Sequence, residues 1–124
     1  MKTQTYIQSF ALGLIGLFCF CGVQAREVLN GVTKEQVCVA GYSATIRPSV
    51  AAIAKWKRKH IGKLVWKDYV VDHVVPLSVA GHPMGSNLQL QTLSESKAKD
   101  ILENRAHRDL CAGKITLQQA QERF

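Results

Sequence analysis

The sequence is short of acidic residues, and the shortage is concentrated in one segment. The chain has nine Asp and Glu against 16 Lys and Arg, and no acidic residue stands from Gln36 to Lys67. That stretch carries the basic residues Arg47, Lys55, Lys57, Arg58, Lys59, Lys63 and Lys67. One-sided positive charge favours a polyanionic partner, because each Lys or Arg that neutralises a phosphate releases counterions. A solvated helix face, or attraction to an acidic envelope surface, would give the same pattern.

The chain also lacks internal repeats and low-complexity linkers. Its 124 residues are enough for one domain of ordinary size, which excludes a multidomain protein. A hydrophobic content of 47% excludes a disordered tail. These features together predict a single globular domain.

The N-terminal segment has the pattern of a cleaved export signal. Lys2 precedes an almost wholly apolar run at 10–23, and Val23-Gln24-Ala25 offers small residues for cleavage. The apolar run has about 14 residues, fewer than the roughly 20 that span a bilayer. We therefore expect a signal peptide at 1–25, a mature domain at 26–124 and a periplasmic or secreted location. An uncleaved membrane anchor is the alternative.

Cysteine is scarce, and the predicted cleavage leaves only Cys38 and Cys111 of the four. An even number of cysteines in an exported chain favours one disulfide, here Cys38–Cys111. Such a bridge would stabilise the fold by roughly 4 kcal/mol on the chain-entropy estimate. Two isolated buried thiols are the alternative, and a cysteine-based zinc site needs more ligands than the chain offers.

The first long helix is predicted at Val50–His60. Ser49 is a suitable N-cap, and Gly62 is a suitable stop. The apolar residues at helical spacing are Val50, Ile53, Ala54 and Ile61. We expect Lys57, Arg58 and Lys59 to point mostly to solvent.

Two further helices are predicted from capping boxes. Thr92 and Glu95 have the required spacing, so a helix should begin near Leu93 and end by Gly113. Thr116 with Gln119 opens a short terminal helix in the same way. The longer helix is expected to bury a stripe of Ala98, Ile101, Leu102 and Leu110.

Two strands are predicted ahead of that helix. Residues 69–77 are β-branched and extended in character, with Pro76 near the end. Residues 88–92 alternate polar and apolar side chains. A glycine-rich loop of about nine residues would join them into a hairpin.

The residues that could take part in catalysis or metal binding lie within this strand–loop–strand–helix unit. They are the Asp72-His73 pair, Asn87 in the loop, and Lys99-Asp100 on the helix. The segments VVDHVVPLSVAG and SNLQLQTLSESKAKD resemble the HNH, or ββα-metal (His-Me finger), endonuclease family. CVAGYSATIRP and KDILENRAHRDLCAGKITLQQAQ resemble the flanks of a small exported bacterial subgroup of it. The resemblance implies a ββα unit at about 69–111, and cleavage that yields a 3′-hydroxyl and a 5′-phosphate.

The chemistry of these residues agrees with that resemblance. A neutral histidine can take a proton from water near pH 7, so His73 is the predicted general base. Mg²⁺ prefers oxygen ligands, and Asp72 supplies a carboxylate for one divalent metal ion, with Mn²⁺ or Zn²⁺ as alternatives. In the family an asparagine orients the catalytic histidine, which is the role expected of Asn87.

Two features depart from the family pattern. Neighbouring residues of a regular strand face opposite sides, so Asp72 and His73 require a bulge or a strand end. Where the family places a helix His or Asn as a further metal ligand, this chain has Glu95 and Ser96. Either one is a candidate ligand, and a degenerate site is the alternative.

The remaining candidate residues would bind nucleic acid or fill the core. Phosphate contacts are expected from Arg47, Lys57, Arg58, Lys59 and Lys99, with a salt-bridge role as the alternative for Arg47. Trp56 and Trp66 could stack on bases, although core packing is the preferred interpretation. The other histidines, His60, His82 and His107, are expected to be solvated or to fill a loop.

These observations predict an α+β single domain, in which helices flank a ββα-metal hairpin–helix unit and one disulfide is present. The predicted function is an exported, metal-dependent HNH endonuclease that hydrolyses phosphodiester bonds. Its partner would be nucleic acid, with DNA favoured over RNA, and a monomer is favoured. The alternatives are a catalytically degenerate nucleic-acid-binding module on the same fold, and a basic, disulfide-stapled envelope protein.

Overall fold

The computed structural model describes residues 26–124. The predicted signal peptide at 1–25 lies outside this range. Within the described range no helix is both long enough and apolar enough to cross a membrane.

The described chain is an α+β structure with a two-stranded antiparallel sheet. The helices are α1 (Lys34–Val37), α2 (Tyr42–Ile46), α3 (Val50–His60), α4 (Leu93–Cys111) and α5 (Leu117–Glu122). The strands are β1 (Tyr69–His73) and β2 (Leu88–Thr92). Short 3-10 turns lie at Trp66–Asp68, Leu77–Val79 and Gly85–Asn87.

Side-chain caps begin the three predicted helices where the sequence places them. The Ser49 hydroxyl accepts from the Ala52 N–H at the start of α3. Thr92 forms a reciprocal capping box with Glu95 at the start of α4, and Thr116 forms one with Gln119 at α5. Each cap satisfies N–H groups that have no partner inside the helix, so these predicted starts are confirmed.

The hairpin differs from its prediction in the length of the first strand. Tyr69 pairs with Thr92 and His73 with Leu88, so β1 stops at His73 rather than at Leu77. The connection from Val74 to Asn87 is correspondingly longer than expected. The cause is the Asn87 side chain, which binds both the N–H and the C=O of Val75 and so ends the strand pairing.

The first residues of the described range pack along this connection. The Leu29 N–H donates to the Ala80 carbonyl, and the His82 N–H donates to the Glu27 carbonyl, around a bridge between Val28 and Gly81. A Cβ at Gly81 would lie 1.8 Å from the Val75 carbonyl oxygen, so only glycine fits there. The connection is therefore an ordered part of the fold.

A small apolar core joins the connection to the helices. Its fully buried members are Val37, Val75, Val79, Ala80, Leu110 and Ala120. The predicted disulfide is confirmed: Cys38 and Cys111 are bonded at 2.04 Å, with 5.7 Å between their Cα atoms. It ties the segment after α1 to the last residue of α4.

The predicted buried stripe of α4 is wrong at three of its four positions. Leu110 is buried, but Ala98, Ile101 and Leu102 are exposed. The residues of α4 that face inward are instead Lys99, Glu103, Ala106 and Leu110. Their spacing is helical, but two of them are charged, so hydrophobic periodicity does not identify this face.

The tryptophans also depart from the preferred interpretation as core residues. Trp66 is 45% exposed, and its ring lies beneath the Lys57 ammonium at 4.2 Å. Trp56 is partly buried and stacks on His60, with 3.9 Å between the ring centroids. Both rings therefore pack against neighbouring side chains outside the main core.

Candidate active site

The strand β1 ends at the predicted metal ligand and the predicted general base. Asp72 and His73 are its last residues, and both line a pocket of about 270 Å³. The extended backbone stops after His73, as two neighbouring side chains require if they are to reach one pocket. The other lining residues are Ser43, Arg47, Pro76, Leu77, Ser78, Asp100, Glu103 and Asn104.

One hydrogen bond determines the tautomer of the His73 ring. Its Nε2 lies 2.8 Å from the Pro83 carbonyl oxygen, which can only accept a hydrogen bond. Nε2 therefore carries the proton. In the neutral ring Nδ1 then has the free lone pair, and within residues 26–124 it has no hydrogen-bond partner. This nitrogen can accept a proton from a water in the pocket.

The surroundings of His73 favour that neutral ring. Burial lowers the pKa of His73 below its ordinary value of 6.5, and the positive charges of Arg47 and Lys99 act in the same direction. The Pro83 carbonyl and the Asp72 carboxylate oppose this shift, but burial is the largest effect. The His73 ring is therefore neutral at neutral pH, with Nδ1 unprotonated, which is the state that a general base needs.

Asn87 is fully buried and holds the loop that carries Pro83. Its Oδ1 accepts from the Val75 N–H at 3.0 Å and from the Glu27 N–H at 3.4 Å. Its Nδ2 donates to the carbonyls of Val75 at 3.0 Å and His82 at 2.8 Å. The hydrogen-bonding capacity of the amide is thus used on three chain segments. Asn87 acts on His73 indirectly, by fixing the residue next to Pro83.

The Asp72 carboxylate is bound by a cation from the protein itself. The Lys99 Nζ lies 2.7 Å from Asp72 Oδ2 and 2.9 Å from Glu103 Oε2, and it also donates to the His73 carbonyl oxygen. All three side chains are largely shielded from water, with exposed fractions of 11% for Lys99, 19% for Asp72 and 21% for Glu103. Burial raises the pKa of Glu103, and Lys99 opposes that shift.

This position of Lys99 differs from its predicted role as a phosphate contact. Its ammonium group is directed inward because the α4 position it occupies faces β1, which supplies two oxygen acceptors, and Glu103 of α4 supplies a third. An ammonium group has three N–H donors, so these contacts use all of them.

The two predicted helix ligands lie at the start of α4. Glu95 Oε1 accepts from the Thr92 N–H at 2.9 Å, and the Thr92 contacts lower the pKa of this exposed carboxyl. Neither Glu95 nor Ser96 lines the pocket that contains Asp72 and His73. The capping box accounts for Glu95, because its carboxylate is directed back to the helix N-terminus.

Oxygen ligands for a divalent cation are nevertheless present in the pocket. Asp72, Glu103 and Asn104 all line it, and carboxylate and amide oxygens are the donors that Mg²⁺ and Mn²⁺ accept. The donor set therefore fits the expected type of metal, although Lys99 binds Asp72 and Glu103, two of the three carboxylates that line the pocket. Glu103 and Asn104 are absent from the sequence prediction. Glu103 could have been found from its i+4 spacing to Lys99 on the inward face of α4.

The predicted phosphate-binding residues divide into different environments. Arg47 is exposed, lines the pocket beside His73, and forms no salt bridge within the described range. Arg58 and Lys59 are exposed on α3, as expected. The expectation that Lys57 reaches solvent is wrong, because its Nζ donates to the carbonyls of Trp66 at 2.7 Å and Tyr69 at 2.5 Å. Lys57 anchors α3 to the start of β1.

A second depression connects basic residues with the loop near His73. Lys55 and Lys59, one helical turn apart on α3, line it together with Met84, which follows Pro83. Arg47 and His73 also line a separate groove against the first turn of α3. Exposed positive charge is therefore present at the pocket and along the neighbouring face of α3.

Another group of potential metal ligands surrounds the disulfide. Ligand atoms of Cys38, His107 and Cys111 lie within 4.8 Å of one another. Both sulfurs are bonded in the disulfide, so neither is a thiolate that could bind a metal ion. His107 Nε2 lies 3.1 Å from the Val37 carbonyl, which connects α4 to α1.

Comparison of the chain with protein-family models, with curated proteins and with solved structures gives no match. The resemblance to the HNH family therefore stays a prediction based on the motif residues. The function has to be argued from the geometry and chemistry of the pocket.

Proposed function

We propose that the protein is an exported endonuclease of the HNH type, which hydrolyses phosphodiester bonds with His73 as general base and one divalent metal ion. The observation that carries the proposal is the His73–Pro83 hydrogen bond. It places the proton of the neutral ring on Nε2 and leaves Nδ1 without a partner within residues 26–124. His73 shares its pocket with the Asp72 carboxylate and with Arg47, which forms no salt bridge in that range. That combination provides a base, a metal ligand and a phosphate-binding group for the reaction.

The proposed reaction begins with a water molecule in the pocket. His73 Nδ1 takes a proton from it while the water oxygen forms a bond to phosphorus. The bond from phosphorus to the 3′-oxygen breaks, and that oxygen takes a proton from solvent, which gives a 3′-hydroxyl and a 5′-phosphate. The Arg47 guanidinium, which is exposed beside His73, would bind a phosphate oxygen and orient the scissile group.

A divalent cation bound at this pocket would stabilise the negative charge that develops on the phosphate and on the leaving oxygen. Asp72, Asp100 and Glu103 are the carboxylates that line the pocket and could hold it, with Asn104 as a neutral oxygen donor. This set replaces Glu95 and Ser96 in the proposal, since neither of them lines the pocket. Mg²⁺ is the expected ion, and Mn²⁺ satisfies the same donors.

A nucleic-acid-binding module without catalysis is the second candidate function. It is favoured by a specific observation, the ion pair between Lys99 and Asp72, because a carboxylate held by an internal cation is less available to a metal ion. Such a module would bind DNA through the exposed basic residues and leave it intact.

Location in the periplasm or outside the cell belongs to the proposal as well, supported by the signal-like segment at 1–25 and the disulfide.

Plasmid nicking tests the two candidates against each other. Purified protein incubated with supercoiled plasmid is expected to produce nicked and linear DNA in Mg²⁺ or Mn²⁺, and to stop when EDTA is added. Retardation of the plasmid without cleavage in either metal would contradict the endonuclease and favour the binding module. An absence of both binding and cleavage would favour the basic envelope protein.

The proposed DNA path predicts the salt dependence of binding. Replacing Lys55 and Lys59 together with glutamine is expected to weaken binding to duplex DNA, because these residues line the depression beside Met84. Two lost phosphate contacts should make the slope of log Kobs against log salt concentration shallower by about 2. Fluorescence anisotropy of a labelled duplex over a range of salt concentrations measures this slope.

A charge-matched control separates the path from general attraction. Lys34 and Lys114 lie near Gly113, just after the C-terminal end of α4. Their replacement by glutamine also removes two positive charges. This control should retain a slope close to that of the wild type. Equal changes in the two double variants would mean that DNA follows no particular path on the protein.

A further inference from the structure

The Lys99 ammonium occupies a site made entirely of oxygen atoms. Its partners are the carboxylates of Asp72 and Glu103 and the main-chain carbonyl of His73. These are the ligand types that Mg²⁺ and Mn²⁺ take from proteins. A hard divalent cation and the ammonium would therefore use the same donor atoms.

The charges around Lys99 do not balance. One ammonium stands between two carboxylates, at 2.7 Å from Asp72 Oδ2 and 2.9 Å from Glu103 Oε2. A divalent cation would neutralise both carboxylates at once. The site thus accommodates Lys99 while its charge matches an ion of charge +2 better.

The side chain of Lys99 has an alternative to this position. Its stem is flexible, and the Phe124 ring lies 5.4 Å from Nζ, within the range of a cation–π contact. The ammonium is already within reach of this ring while it is bound to the carboxylates, and the flexible stem allows it to move from them toward solvent. Lys57 differs, because its ammonium is held by two main-chain carbonyls and no carboxylate.

We propose that Lys99 and a divalent cation compete for the oxygen atoms of Asp72, Glu103 and the His73 carbonyl, so that Lys99 sets the metal affinity of the site. The inference rests on the proposed function for the presence of a metal ion, but it concerns binding and not cleavage. If the free site is populated about a tenth of the time, the competition raises the apparent Kd for the metal about tenfold.

Titration of the purified protein with Mn²⁺, followed by the EPR signal of the free ion, tests the competition. Lys99→Gln is expected to bind Mn²⁺ about tenfold more tightly than the wild type. Lys97→Gln, an exposed lysine on the same helix, is the matched control and should bind as the wild type does. An affinity in Lys99→Gln equal to or weaker than that of the control would overturn the inference, as would an absence of binding in all three proteins.

A second measurement uses the wild-type protein and so does not depend on the folding of a variant. Acetic anhydride should modify Lys99 slowly, because its ammonium is buried and hydrogen-bonded, and Lys97 quickly. Saturating Mn²⁺ is expected to raise the modification of Lys99, measured by peptide mass spectrometry, and to leave Lys97 unchanged. Unchanged modification of Lys99 at saturating metal would overturn the inference, because the ion would then bind without displacing Lys99.

These outcomes are separable from those of the nuclease proposal. Metal binding that Lys99→Gln tightens, in a protein that never cleaves DNA, would support the competition and contradict the endonuclease proposal. Metal-dependent cleavage with an affinity that Lys99→Gln leaves unchanged would do the reverse.

Discussion

In the proposed endonuclease, replacement of His73 by alanine is expected to lower the rate of DNA cleavage by about 10²–10⁴-fold, the usual contribution of a positioned general base. The expectation follows from the ring geometry, in which Nε2 is fixed by the Pro83 carbonyl and Nδ1 has no hydrogen-bond partner within residues 26–124, while His73 lines the pocket. Single-turnover plasmid nicking in saturating Mg²⁺ measures the rate. Circular dichroism and thermal unfolding show whether the variant is folded.

His60→Ala is the matched control for this substitution. His60 lies at the exposed end of α3, and its Nδ1 bonds to the Trp56 carbonyl in its own helix. The variant should cleave at the wild-type rate when DNA is saturating. A folded His73→Ala protein that cuts as fast as this control would rule out His73 as the base.

The pH profile gives the same assignment an independent readout. The His73 ring must be neutral to accept a proton, so the cleavage rate should fall as the pH drops through its pKa. Burial places that pKa below 6.5, and a bound cation would lower it further. The acidic limb of the rate profile should therefore lie below pH 6.5. A limb above that value would indicate a different titrating group.

The parts of the fold that sequence predicts well are those that local chemistry determines. The Ser49, Thr92 and Thr116 caps act within one helical turn, and each satisfies N–H groups of its own helix start. The Cys38–Cys111 bridge is predicted from a count of cysteines, because these two remain when the predicted signal peptide is set aside, and a disulfide is favoured over two isolated thiols. Such features need no knowledge of the tertiary structure.

The parts that sequence predicts poorly depend on contacts between distant segments. Strand β1 stops at His73 because Asn87 binds the backbone of Val75, an interaction that periodicity does not encode. Lys57 is buried because two carbonyls from the segment after α3 meet its ammonium. A lysine at position 57 is expected to be solvated from the sequence, and only the tertiary arrangement supplies the partners of its ammonium.

The candidate site shows the same division. Asp72, His73 and Asn87 were predicted from the motif, and the structure brings Asp72 and His73 to one pocket with Asn87 beneath the neighbouring loop. Glu103 was missed because hydrophobic periodicity places the inward face of α4 at Ala98, Ile101 and Leu102, whereas in the structure Glu103 lies on that inward face. Polar residues on an inward helix face are costly unless they are paired, so they are better indicators of a site than apolar periodicity is.

Replacement of Asn87 by aspartate is expected to have the largest effect on stability. The change keeps the shape of the side chain but replaces its two N–H donors with an oxygen that faces the carbonyls of Val75 and His82. Two buried carbonyls then lose their partner and meet a buried carboxylate. The loss should be at least about 3 kcal/mol at neutral pH, a large part of the roughly 5–15 kcal/mol that stabilises a typical domain.

Urea unfolding of Asn87→Asp beside the wild type measures this loss, with Asn30→Asp as the matched control, since Asn30 is exposed. The control should change stability by less than about 0.5 kcal/mol. Burial beside two carbonyls would raise the pKa of the new carboxyl in the folded protein above its unfolded value, so its protonated form is the one that the fold accepts. The Asn87→Asp protein should therefore be less destabilised, relative to the wild type, at pH 4 than at pH 7. Equal stability of the two aspartate variants at neutral pH would show that Asn87 does not hold the loop, and the positioning of His73 through Pro83 would then need another cause.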